Sequence, residues 1–163
     1  MADQWRRTNI KFSILKHLHV SLFPTWAFKI PDKDGNLDVV SSSVNKTQFL
    51  MAYPGGQFLR PSIACVHTGM RAPGRLPSVG YRSEDLQYVV LVYAKLWSDV
   101  ERYTDLVRDK LDSERIGLYR WDPASKTFVA PVTETVQVRY ETDVLLSLTR
   151  KDPESRITVA IYS

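Results

Sequence analysis

Cys65 and His67 are the residues whose types and spacing first suggest chemistry. Two positions apart, they share a face of any strand. A Cys–His pair can supply a thiolate nucleophile. At this spacing, however, the side chains stand parallel instead of converging, and no oxyanion-hole motif accompanies them. A buried thiol beside a histidine is expected, and a hydrolase or transferase reading would rest on these two residues alone. His17 and His19 project to different sides of a helix and cannot jointly hold zinc. DKDGNLD (32–38) places Asp32, Asp34 and Asn36 at alternate positions, as a calcium loop does. Its sixth position is Leu37 where glycine is needed, and its twelfth is Ser43 where Glu is needed, so a turn is expected. Glu84–Asp85 and Glu141–Asp143 read as solvated strand ends. There is no GxxxxGK[ST] and no GxGxxG, and Gly69, Gly74 and Gly80 do not open a helix after a strand. No catalytic residue, cofactor or metal is expected; the chain reads as an interaction module and not as an enzyme.

Charge gives the more informative signal. The chain carries 22 Lys and Arg against 18 Asp and Glu, a net +4. Residues 60–82 hold Arg60, Arg71, Arg75 and Arg82 and no acid, so the remainder is neutral. A nucleic-acid footprint normally spreads more charge over a groove or helix. Four arginines suffice for a local contact with an acidic surface. Tyr88, Tyr93, Tyr140 and Trp97 could stack on bases, but Tyr88 and Tyr93 fall on opposite faces of one apolar strand.

The elements that would position these residues follow from periodicity. Thr8 is placed to cap a helix in which Ile10, Ile14, Leu15, Leu18 and Leu22 share a side and Lys11, Lys16 and His19 lie opposite, up to Pro24. TWAFKIP (25–31) alternates as a strand, DKDGN is a turn, and LDVV is a returning arm. In 41–59, Phe49, Leu50, Tyr53 and Phe58 sit among loop residues, as expected of a loop packed on its own domain or on a neighbouring subunit. PSIACVHT (61–68) and LQYVVLVYAK (86–95) read as strands, the second buried on both faces. Between them lies a basic Gly/Pro-rich loop, 68–85. SDVE matches a capping box, with Ser98 as cap. It opens a helix over about 98–112 with Val100, Tyr103, Leu106, Val107 and Leu111 as its stripe. GLYRW, TFVAPV, TVQVRY, DVLLSLTR and RITVAIYS are strands separated by DPASK and KDPES turns. The expected fold is α+β, a mainly antiparallel sheet with two amphipathic helices packed against it, as a single domain over 1–163 with a protruding loop at 68–85. No run is long enough to span a bilayer, no signal peptide is recognisable, and one cysteine gives no internal disulfide. A soluble protein made in the cytosol is expected.

The order of these features resembles the tail terminator proteins of long-tailed bacteriophages, also called tail-completion or head-to-tail joining proteins. The resemblance lies in residues 8–23 and 60–163. It is carried by the strand ending RPSIACVHTG and by the strand from Val89 to Tyr93, which runs into a helix with Asp99, Leu106, Val107 and Leu111 at matching positions. Residues 25–59 match no family pattern. The resemblance implies a structural virion protein at the tail–neck junction, assembled in the host cytoplasm. It implies a six-membered ring that caps the tail tube, ends its polymerisation and offers a surface to neck or head-closure proteins. Genomic DNA would pass through the hole without sequence-specific contact, and no membrane or cofactor is involved. On that reading Arg60, Arg71, Arg75 and Arg82 face the tube end, the neck or channel DNA, and Phe49, Leu50, Tyr53 and Phe58 are candidates for the subunit interface. Two alternatives stand beside it: another neck-ring protein (head-closure or connector), and a small nucleic-acid-binding module that uses 60–82.

Overall fold

The computed structural model describes residues 4–32, 34–37, 47–54, 58–71, 85–146 and 153–162. In chain order the elements are α1 (Arg6–Ser21), β1 (Phe49–Leu50), β2 (Ser62–Arg71), β3 (Asp85–Tyr93), α2 (Trp97–Leu111), β4 (Glu114–Gly117), β5 (Arg120–Asp122), β6 (Thr127–Val129), β7 (Thr135–Leu146) and β8 (Glu154–Tyr162). Six strands form one sheet in the order β1-β2-β3-β8-β7-β4, and β5 and β6 form a separate hairpin. Every pairing is antiparallel except that of β1 with β2. The fold is α+β with a mainly antiparallel sheet. Among the described residues no helix is long and apolar enough to cross a membrane.

Strand parity sets the layers. Ile63 and Cys65 of β2, Tyr88, Val90 and Val92 of β3, and Ile157, Val159 and Ile161 of β8 turn to one face. There they join Ile10, Ile14, Leu15 and Leu18 of α1 and Val107 and Leu111 of α2 in one core. Both helices therefore cover the same face. The other face has a smaller cluster, Leu50, Ala64, Val66 and Leu91, with Val89 and Tyr93 packed on it. β3 is buried on both sides, as its near-continuous apolar run predicts.

α1 differs from the expected surface helix. It starts at Arg6 with Trp5 at its N-cap and no side-chain cap, so Thr8 does not cap it. Its polar side is covered as well. Lys11 Nζ donates to the Met51 carbonyl at 3.0 Å, Lys16 Nζ lies 4.8 Å above the Phe28 ring, and His19 sits between Phe28 and Phe49. The long lysine stems let apolar segments pack over them while the charges stay near the rim. Two buried polar side chains, Asn9 and Ser13, serve a different segment altogether. Asn9 Oδ1 accepts from the Trp121 N–H at 2.8 Å and Ser13 Oγ from the Tyr119 N–H at 2.9 Å. They take the place of a strand partner for the main chain entering β5. Asn9→Ala is therefore expected to leave the Trp121 amide unsatisfied and cost about 1–3 kcal/mol, read as a lower urea midpoint. An unchanged midpoint would show that water replaces the bond without loss.

Four more expectations change. TWAFKIP forms no strand; it is an extended segment tied to 47–48 largely by side chains, with Ala27 N donating to Gln48 Oε1 at 2.9 Å and Lys29 N to Thr47 Oγ1 at 3.2 Å. The Ser98 capping box is absent, because the N-cap of α2 is Leu96, two residues earlier, and it makes no side-chain cap. In α2, Thr104 is buried with Val100, Val107 and Leu111, while Leu106 is exposed. GLYRW divides between β4 and β5, whereas TVQVRY and DVLL join into one strand, β7, through a bulge between Tyr140 and Thr142. The turn expected at DKDGN is seen at Asp32 and 34–36. Asp32 Oδ1 accepts from Asp34 N and Asn36 N, both at 2.9 Å, and Gly35 adopts φ +81°. The LDVV arm beyond Leu37 and the KDPES turn up to Asp152 lie outside the described residues.

Candidate interaction surfaces

β2 separates the arginines that the linear sequence groups together. Arg60 precedes the strand and Arg71 ends it. At about 3.3 Å per residue the ten-residue strand between them spans roughly 30 Å. Arg71 pairs in register with Asp85, so the hairpin ladder continues past Thr68 and the connecting segment narrows to 72–84. Arg75 and Arg82 lie outside the described residues.

Arg60 belongs to a stacked assembly at the opposite end of the sheet. Its guanidinium lies 4.1 Å from the Phe58 ring centroid, and Phe58 meets Tyr93 edge-on at 5.0 Å. Burial, followed by the neighbouring Glu154 carboxylate to which it is hydrogen-bonded, raises the Tyr93 phenol above its ordinary value. Glu154 is buried and accepts from Arg156 at 3.2 Å. Phe58 thus works as an intramolecular platform. Phe49 and Leu50 form β1 and are fully buried in the two clusters, so their side chains are spent inside the chain. Of the four proposed interface residues, only Tyr53 is largely exposed.

Sequence reading did not find the apolar character of this end of the sheet. The register puts Tyr93 beside Ser62 and Glu154, and Glu154 beside Leu146, so β3 and β7 end and β8 begins at one level. Around it Leu96 is 61% exposed, Trp97 42%, Val144 50% and Leu145 43%; Tyr53, close enough to act on Tyr93, is 56% exposed. Large aliphatic and aromatic side chains left exposed at one end of a sheet make that end a candidate interaction surface. The available signal was LW directly after a buried strand and VLL within an alternating one.

The chemistry candidates resolve differently. Cys65 is fully buried and its thiol is pushed up to about 12 by burial, so it is no thiolate at neutral pH. His67 meets Tyr88 edge-on at 5.2 Å. His17 and His19 lie below their ordinary 6.5, burial being the first cause for each; Lys110 reinforces the shift of His17 and Lys16 that of His19, while Glu114 opposes the first. Among the described residues no three His, Cys, Asp or Glu side chains gather as metal ligands would. These shifts predict a stability plateau. Below 6.5 the unfolded histidines take protons that the folded ones refuse, so stability falls with falling pH. Above the ordinary thiol value of 9.0 the unfolded Cys65 releases a proton that the folded form keeps up to about 12, so stability falls again as pH rises. Urea midpoints taken near pH 5, 7.5 and 10.5 should peak at the middle value. A monotonic trend would contradict this assignment.

No protein-family model matches the chain, and no curated protein matches it.

Proposed function

We propose that the chain is a structural virion protein that forms a ring on the end of a phage tail tube, stops its polymerisation and joins it to the neck. The observation that carries this reading is the chemical division of one sheet. Tyr53, Leu96, Trp97, Val144 and Leu145 expose apolar surface at one end. The β2–β3 connection, whose sequence holds Arg75 and Arg82 and no acid up to residue 82, leaves from the other. A joining protein needs two unlike surfaces facing opposite ways, one for each neighbour. Both helices lie on one face of the sheet, and contacts between the subunits of a ring are heterologous. The nucleic-acid-binding alternative, which treats 60–82 as one patch, loses support because Arg60 stands a strand's length from Arg71. Light scattering on the eluting protein tests the reading: a mass near six chains is expected, with rings in negative stain. A monomer at every concentration, with no ring on added tail tubes, would overturn it.

A further inference from the structure

The nominal edge strands of the sheet are too short to close it. β1 covers only Ile63 and Ala64 of β2, and β4 covers only Thr135–Val138 of β7. Among the described residues, Gly69–Arg71 of β2, just past a bulge at Thr68, and Thr142–Leu146 of β7 therefore have a ladder on one side alone. Protected edges carry prolines, lysines or bulges. The β7 bulge lies before Thr142, and from there the register with β8 runs unbroken through five residues that include no Pro, Gly or Lys. Val144 and Leu145 are exposed on this stretch, on opposite faces. Its one charge is Asp143, whereas the one charge in Gly69–Arg71 is Arg71.

We propose that the β7 edge of one copy pairs with the β2 edge of the next copy, so that the sheet continues from subunit to subunit. Strand direction supports a second copy as the occupant. Across β2, β3, β8 and β7 the strands alternate up and down. The β2 of a neighbour in the same orientation continues that alternation, antiparallel to β7. The stretches also sit at different levels. Thr142 is level with Val89 and Val66, three residues before the start of the β2 stretch at Gly69. Each junction is therefore staggered along the strands, and a stagger with tilt is what closes a sheet on itself. The pairing deepens the ring reading and relies on it only for closure; a heterologous contact that failed to close would make filaments instead.

Cysteine cross-linking decides the question. Thr68 and Val144 are exposed, and Cys65 is buried and stays silent to thiol reagents. The double variant Thr68→Cys/Val144→Cys, treated with a short bis-maleimide, should give a ladder of covalent oligomers on a denaturing gel, and each single variant only monomer. Thr142→Cys can replace Val144→Cys if the latter folds poorly, with the same expected ladder. Adding Leu145→Lys should remove at least nine-tenths of the ladder (about tenfold, as expected of a buried charge at a seam) without changing the circular dichroism spectrum. Dimers from Val144→Cys alone would mean that β7 pairs with itself, and monomer from the double variant would mean no edge pairing; either overturns the proposal. A ladder from a protein that never caps tail tubes would instead defeat the terminator reading and leave the pairing intact. Capping with no ladder would do the reverse.

Discussion

Replacing Arg71, Arg75 and Arg82 together with Glu should leave the protein folded and reduce its joining to tail tubes on the order of a hundredfold, the scale of several like-charge contacts. The sheet ladder ends at Arg71 and Asp85, and its core residues, Ile63, Cys65, Tyr88 and Val90, are untouched by these changes. Each chain moves from three positive charges to three negative ones in the segment that holds the net charge of the protein. In a ring the change is repeated in every subunit, so a weak single contact becomes a large collective loss. The block should ease as salt is raised, because exposed charges are screened within about 8–10 Å at moderate ionic strength. Arg60→Glu is the control. It lies at the other end of β2 against Phe58, so joining should survive it. A triple variant that joins tails normally would reduce the 72–84 segment to a connector.

Phe12→Ala should be the most destabilising single substitution in the α1 face, at about 3–5 kcal/mol. The ring is stacked on Phe128 at 3.7 Å and meets Phe28 and Tyr119 edge-on at 5.4 and 5.3 Å. Those partners come from the extended 25–31 segment, the β4–β5 connection and β6, so one side chain holds three separate pieces of chain against α1. Trp121 and Trp5 continue the contact series beyond Phe128. Truncation removes the buried area and leaves a cavity that three anchored aromatics cannot collapse into. For a chain of this size the loss corresponds to a melting temperature lower by roughly 6–20 °C. A loss under about 1 kcal/mol would mean that the small hairpin closes over the gap and contributes little to the core.

The residues that made the fold readable were those with one dominant periodicity. Ile157, Val159 and Ile161 alternate in sequence and turn to one face of β8; the apolar run of β3 lies in the middle of the sheet. Where two physical demands compete, the pattern misleads. Asn9 and Ser13 look like the wet side of a helix, yet they are buried because Trp121 and Tyr119 need acceptors. Trp26, Phe28 and Ile30 alternate like a strand, yet the amides between them, at Ala27 and Lys29, donate to the Gln48 and Thr47 side chains and not to a strand. A bulge makes one strand look like two at Tyr140–Thr142. The surfaces were less legible for a geometric reason. Counting charge along residues 60–82 ignores a ten-residue strand, which carries Arg60 far from Arg71. The apolar end of the sheet is assembled from the start of α2, β7 and the 51–54 segment, which no local window joins.

The measurement that tests the central claim most directly is electron microscopy of growing tail tubes with the purified protein added. Tubes should stop elongating, each with a ring of added density at one end. Tubes that keep growing with bare ends, in the presence of saturating protein, would contradict it.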